Sequence, residues 1–209
     1  MRTKIIKVDA NNPDPKVIRE AADTLRRGGL VAFPTETVYG LGASLQDPQA
    51  IQELYRVKQR PFEKKVTVHI WDLRQVEEQG CRMNEMAAEL AGRFWPGPLT
   101  VVLKRRDGST LGFRMPDHPV ALALLKEADV PVVAPSANLS GSPAPRSAPE
   151  VLRDLSDEID LLLDAGPAPV GIESTVLDLS GPVPVLLRAG ALSSDVSRYL
   201  ERIGARSPG

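Results

Sequence analysis

The chain has a single cysteine, Cys81, among its 209 residues. A lone thiol excludes an internal disulfide and a cysteine-rich zinc site, and it suits a reducing cytoplasm. Long apolar runs are also missing. None approaches the ~18 residues that a membrane helix needs, and the start, Met1 to Lys7, has no apolar stretch of the signal-peptide kind. Neither sign of charge is in excess: 26 Lys and Arg stand against 27 Asp and Glu, a formal net charge of -1. No global field therefore drives general nucleic-acid or membrane binding, and any basic site must be local. There is no Walker A sequence and no Gly-x-Gly-x-x-Gly fingerprint. The two histidines, His69 and His118, lack the spacing and partners of a metal site or a nucleophile–base pair. What is present, 42% hydrophobic and 25% charged residues, has ordinary globular values. The expectation is a soluble cytoplasmic protein with one sizeable core.

Residues 30 to 42 organise the reading. Leu30 to Phe33 make a short buried-strand signal, and Pro34, which has no N–H, forbids the ladder from continuing. Thr35, Glu36, Thr37 and Tyr39 follow at once, with Gly40 and Gly42 letting the backbone turn tightly or approach a ligand. Strand ends of α/β sheets are where ligands bind, although threonines capping a turn describe the stretch equally well. Asp14-Pro15 and Asp47-Pro48 are N-cap then N1-proline signals for two helices, the first stopped by Gly28-Gly29 and the second near Arg60-Pro61. In Val66 to Ile70, Thr67 and His69 project opposite to the valines and isoleucine.

Asp72 and Asn84 open two more helices, and Trp95-Pro-Gly-Pro98 breaks the second. Leu99 to Lys104 and Thr110 to Met115 form a hairpin turning at Asp107-Gly108, with Thr110 and Arg114 on its polar face. A helix begins near Asp117, with His118 a turn residue before Pro119, and a short strand runs from Pro131 to Ala134. Ser147-Ala-Pro-Glu150 is a capping box opening a helix through Leu155. Three further strand signals fall at Leu161 to Leu163, Thr175 to Leu179 and Val183 to Arg188. Ser193 caps a last helix with Val196, Leu200 and Ile203 inward. Only residues 1 to 8 and 204 to 209 look frayed. The fold class is α/β, one domain over residues 1–209 with its core at about 10–203: a twisted mixed sheet flanked by helices.

The densest charge feature, Arg56 to Lys65, holds Arg56, Lys58, Arg60, Lys64 and Lys65 against Glu63. Splayed into solvent it is a helix end helped by the helix dipole; converging in a groove it requires an anion. Arg114 within an apolar strand and Arg188 at the end of another each imply an edge position or an anionic partner. Ser136 and Asn138, in a tight loop after a strand, have the residue types of a phosphate cradle and equally of a plain turn.

Together these blocks resemble the YrdC-like threonylcarbamoyl-AMP synthases. The resemblance rests on Phe33-Pro-Thr-Glu-Thr-Val-Tyr-Gly40, Lys58-Gln-Arg60-Pro61, Val68-His69, Trp95-Pro-Gly-Pro-Leu-Thr100, Arg114-Met-Pro-Asp-His-Pro119, Ala134-Pro-Ser-Ala-Asn138, Glu173-Ser-Thr-Val-Leu-Asp178 and Leu187-Arg188. It implies a basic concave groove in which L-threonine, bicarbonate and ATP become threonylcarbamoyl-adenylate and pyrophosphate. The adenylate then serves threonylcarbamoyladenosine modification of tRNA, which implies tRNA-modifying partner proteins. Carried over by resemblance, Thr35, Thr37, His69, Arg114, Ala134 and Ser174 meet threonine. Arg60, Lys64, Thr110, Ser136, Asn138, Ala144 and Arg188 meet ATP, and Lys58 and Arg60 are the catalytic pair that neutralises charge. Mg²⁺ is implied, with no protein ligands evident in the sequence.

Two departures from the family pattern stand out. Many relatives have Asn-Pro where this chain has Lys64-Lys65, and longer relatives carry a second C-terminal domain, so the short single-domain form is expected here. The alternatives are a non-catalytic module of the same fold that binds double-stranded RNA or tRNA, an inactive relative, and the carbamoyl-transferring domain of hydrogenase-maturation proteins. That last family's cysteine-rich zinc segments have no counterpart in this chain. Lys58→Ala and Arg60→Ala are expected to abolish turnover with thermal stability nearly unchanged.

Overall fold

Residues 1 to 8 carry no strong local signal, yet in the computed structural model, which describes residues 2–204, Lys4–Lys7 form strand β1. It pairs in parallel with β8 (Leu161–Asp164), and Thr3 Oγ1 donates to the Ile159 carbonyl at 2.8 Å. The core therefore begins earlier than residue 10. Of the expected frayed C-terminus, residues 205–209 lie outside the described residues.

Asp14 caps α1 (Pro15–Arg26) by accepting from Lys16 N, and Gly28 takes φ 81° just beyond its end. β2 (Val31–Phe33) stops at Pro34. The glycines that follow do not form an irregular ligand loop. Gly40–Ser44 is strand β3, antiparallel to β2, because Thr35 Oγ1 bonds the Val38 carbonyl and closes a tight turn between them. α2 (Pro48–Val57), capped by Asp47, leads to β4 (Thr67–His69), the short α3 (Arg74–Glu78) and α4 (Glu85–Phe94), capped by Asn84.

The hairpin is present as β5 (Leu99–Lys104) and β6 (Thr110–Arg114). α5 (Pro119–Ala128) starts later than Asp117 and is capped by His118, whose Nδ1 accepts from Val120 N. β7 (Val132–Val133) and α6 (Ala148–Leu155) follow. The capping box at Ser147 does not form: its side chain makes no cap bond, and Glu150 accepts from Arg146 N instead, at 2.7 Å. β9 (Thr175–Asp178), β10 (Val185–Arg188) and α7 (Ser193–Arg202) complete the chain. Ser193 is the first helical residue and not the cap, and Ile203, past the helix end, is 41% exposed where burial was expected.

The strands form one mixed sheet in the order β1-β8-β2-β3-β7-β4-β6-β5-β9-β10. Side chains alternate across it. Leu30, Ala32, Leu162 and Val133 enter one core with α2, α4, α6 and α7. Their neighbours Val31, Phe33, Leu161, Leu163 and Val132 enter a second core beneath α1 and α5. Those two helices cover β8, β2, β3 and β7 but stop short of β4, β6, β5 and β9.

Gly42 permits the close packing of this second core. A Cβ there would lie 3.0 Å from Phe33 Cε1 and 3.3 Å from both Leu25 Cδ2 and Val132 Cγ1. Gly42→Val should destabilise the fold by roughly 1–3 kcal/mol through overpacking. Urea denaturation checks this, and an unchanged midpoint would show that the space exists.

Candidate active site

Where the helices stop, the same sheet face is left open. Its residues are Thr67 and His69 of β4, Gly112 and Arg114 of β6, Thr100 and Val102 of β5, and Val176 and Asp178 of β9. Their in-between neighbours Val68, Phe113, Val101 and Leu177 are buried in the core behind. This face floors a cavity of about 560 Å³ walled by Thr35, Tyr39, Ala134, Ser136, Ser174 and Arg188. Arg60, Lys64 and Lys65 close it from the segment after α2. A smaller hollow of about 160 Å³ adjoins it, sharing Arg60, Lys64, Ser136 and Glu173 and adding Lys58, Asn138, Ser140 and Ala144.

Arg114, Arg188, Arg60, Lys65 and Lys58 are each held by part of their donor sets. Arg114, 5% exposed, donates from Nη2 to Glu36 Oε1 at 2.7 Å. Burial pushes its pKa down, and the Glu36 carboxylate opposes that shift. Arg188 donates to the Ser174 carbonyl at 2.9 Å, to Ser174 Oγ at 3.0 Å and to Glu173 at 2.6 Å. Arg60 spends Nε and Nη2 on the carbonyls of Lys64 and Lys65, at 3.0 and 2.8 Å, which folds the cationic segment back on itself. Lys65 Nζ reaches Thr110 Oγ1 at 2.6 Å.

Lys58 differs from the solvated helix end that its sequence context allows. It is 1% exposed, and its ammonium donates to the carbonyls of Ser136 and Asn138. Burial, then the Arg60 charge, lowers its pKa to about 8. The Lys58 carbonyl accepts from Ser140 N at 2.8 Å, so the residue ties the 136–140 loop from two sides.

His69 is 4% exposed, sits edge-on to Phe33 with ring centroids 6.3 Å apart, and keeps a buried Nδ1 without a partner among the described residues. Burial, then the Arg114 charge, pushes its pKa down to about 3, so the ring is neutral at neutral pH. Asn138 Oδ1 and Ser140 Oγ are likewise buried and unpartnered, in or beside the smaller hollow. Buried polar atoms of this kind call for a partner, which water, an ion or a ligand in the hollow can supply; Trp71 Nε1, which lines neither cavity, is also without one among the described residues.

Of the site residues expected from the sequence, Thr35, Arg60, Lys64, His69, Thr110, Arg114, Ala134, Ser136, Ser174 and Arg188 line the main cavity. Lys58, Asn138 and Ala144 line the adjoining one. Thr37 lines neither: fully buried, its hydroxyl bonds Thr35 Oγ1 at 2.9 Å, one layer beneath the wall. Glu36, Thr100 and Glu173 were given no role by the sequence, and Lys65 only a share in the cationic cluster. Glu36 had a signal, since a buried Arg114 demands an anionic partner. No group of three or more His, Cys, Asp or Glu side chains converges among the described residues. The cavity carboxylates Glu173 and Asp178 are engaged by Arg188 and by Ser180 N. The residues present thus do not fit a protein-built Mg²⁺ site. No described helix is long and apolar enough to cross a membrane.

A family model for the Sua5/YciO/YrdC domain, described as Telomere recombination, matches residues 23–190. The chain belongs to this family. A threonylcarbamoyl-AMP synthase of Bacillus subtilis is 43% identical over 180 residues, covering 79% of this chain and 52% of that protein. The structure of Pyrococcus abyssi Sua5 complexed with L-threonine superposes with a TM-score of 0.91 at 41% identity, over 98% of this chain and 62% of that one. Escherichia coli YciO, whose structure covers 90% of this chain and 96% of its own, gives 0.81 at 28% identity. The chain thus spans about half the length of the curated synthase, and the family also holds members of shorter build.

Removing the Lys58 ammonium leaves the buried Asn138 carbonyl unmet and the Ser136 carbonyl with Asn138 N alone, so Lys58→Met should destabilise the protein by roughly 1–3 kcal/mol. That contrasts with the near-unchanged stability expected from the sequence, and chemical denaturation decides between them. For His69, the unfolded chain takes up a proton near pH 6.5 that the folded protein refuses until about pH 3. This contribution to stability is complete above pH 6.5 and is lost as pH falls, at up to about 1.4 kcal/mol per unit. His69→Asn should flatten the stability profile across that window, and denaturation series at several pH values measure it.

Proposed function

We propose that the chain joins L-threonine, bicarbonate and ATP into threonylcarbamoyl-adenylate with release of pyrophosphate. The observation that carries this is one open sheet face holding a buried guanidinium, Arg114, beside a neutral imidazole, His69. The same cavity is rimmed by Arg60, Lys64, Lys65 and Arg188. Such a site suits two anionic reactants brought side by side, and the relatives named as synthases support the choice of reaction.

In this reading threonine lies on the sheet face. Its carboxylate meets Arg114, and its polar groups meet Thr35, His69, Ser174 and the backbone at Ala134. Thr37 acts through Thr35. ATP enters from the rim, with its phosphates among Arg60, Lys64, Ser136, Asn138 and Arg188, and Thr110 and Ala144 flank it. Threonine's amine and bicarbonate give a carbamate with loss of water. A carbamate oxygen then attacks the α-phosphorus, the new O–P bond forms, and the bond to the β-phosphate oxygen breaks to release pyrophosphate.

Two anions must approach, so the protein contributes positioning and charge neutralisation, not a covalent nucleophile. Arg60 and Arg188 face the phosphates. Lys58 holds the loop that cradles them and adds positive potential below its pKa of about 8. Mg²⁺ belongs to the proposal as the nucleotide's own counter-ion, since such ions commonly bind through substrate phosphates. The product would pass to proteins that place the threonylcarbamoyl group on tRNA.

Pyrophosphate release measured with threonine, bicarbonate and ATP each omitted in turn should require all three. Release indifferent to threonine or bicarbonate would sink the proposal. Arg188→Ala should lower kcat/KM for ATP by on the order of 10²-fold. RNA binding with steep salt dependence and no turnover would instead favour the non-catalytic module.

A further inference from the structure

Glu36 follows the strand end directly, between Thr35 and Thr37, is 6% exposed, and lines neither cavity. A carboxylate buried so deeply is costly unless its charge and lone pairs are met. Here both oxygens are engaged. Oε1 accepts from Arg114 Nη2 at 2.7 Å, and Oε2 accepts from the backbone N of Asp117, just before α5, at 3.0 Å. The Glu36 carbonyl accepts from Val170 N at 2.9 Å, which anchors its own backbone.

Arg114 is constrained from several directions at once. Its backbone is paired within the sheet to His69, Nε lies 3.4 Å from the Gly97 carbonyl, and Nη2 is taken by Glu36. These two nitrogens share one edge of the guanidinium plane. Nη1 has no protein partner among the described residues, and Arg114 borders the main cavity. A guanidinium fixed along one edge is preorganised to bind along the other, with little rotamer entropy left to lose.

We propose that Glu36 is a positioning residue for the amino-acid substrate: by clamping the Nε–Nη2 edge of Arg114, it presents Nη1 to the substrate's carboxylate in a fixed orientation. This rests on the reading above that Arg114 meets that carboxylate. Glu36 itself touches no substrate. Its second bond, to Asp117 N, ties the clamp to the start of α5, so the orientation is referred to the rigid scaffold and not to a loop.

The test compares wild type, Glu36→Ala and Glu36→Gln for binding of L-threonine and of L-threoninamide, which lacks the carboxylate, by calorimetry. KM values for threonine and ATP accompany the binding data. Glu36→Ala should weaken threonine binding on the order of 10- to 100-fold, raise the threonine KM in parallel and leave the ATP KM within about threefold. Threoninamide binding should barely change, so the preference for threonine over its amide collapses. Glu36→Gln, which keeps an acceptor for Nη2, should restore most of that preference.

Equal loss for threonine and threoninamide, a parallel rise in both KM values, or no loss at all would overturn the proposal. Should Glu36→Ala fail to fold, the near-isosteric Gln variant decides: threonine affinity well below wild type without any change in the preference for the carboxylate also overturns it. Wild-type protein that binds threonine yet releases no pyrophosphate would remove the reaction assigned above, and Glu36 would then be judged on binding alone. Wild-type protein that binds no threonine would overturn both.

Discussion

A sheet face has to be covered, and here the covering runs out part-way across. On one side α2, α4, α6 and α7 bury the inward side chains of strands from β2 to β9. On the other, α1 and α5 pack against each other and over β8, β2, β3 and β7. The remaining width of that face carries two threonines, a histidine, an arginine, a glycine and an aspartate, with Val102 and Val176 its apolar members. Polar and small residues at those alternate positions remove the hydrophobic reason for another helix to dock. The hollow is therefore a property of the fold, and the site is a stretch of sheet left open.

Charge is the second constraint. Several cations around one hollow repel one another, and the repulsion grows as water is removed. The protein meets four of them with different internal partners: Glu36 for Arg114, Glu173 and Ser174 for Arg188, loop carbonyls for Arg60, and the carbonyls of Ser136 and Asn138 for Lys58. No cation is wholly consumed by a carboxylate. Each is oriented while keeping donor capacity or positive potential for a ligand, and that is the condition for electrostatic preorganisation. Lys58 is the extreme case, because its ammonium works mainly inside the protein and shapes the 136–140 loop.

Much of the scaffold was legible in local signals. Asp14-Pro15 and Asp47-Pro48 cap the helices they announce, Pro34 ends β2, and Asp107-Gly108 turns the hairpin that puts Thr110 and Arg114 on one face. Alternation around Val68 aimed His69 correctly. Failures came where distant chain overrode local chemistry. Lys4–Lys7 look frayed until Leu161–Asp164 supplies a partner strand. Gly40 and Gly42 read as a loop because glycine disfavours strands, yet the close approach of Phe33 and Leu25 leaves no room for a side chain at Gly42. Ser147 matches a capping box, but Glu150 finds the Arg146 N–H instead.

Caps, breakers and periodicity act within a few residues, so the chain's order of letters was enough to say where His69, Arg114 and the loop after β7 would sit on their own elements. Which of them would face one another was beyond its reach. Glu36 meets Arg114 across 78 residues of sequence because β2 and β6 lie in one sheet with three strands between them. Lys58 turns inward only because the 136–140 loop offers it carbonyls. Those meetings depend on the order of strands and on where α1 and α5 stop, and both follow from packing free energy summed over the whole molecule, which no short window of sequence contains.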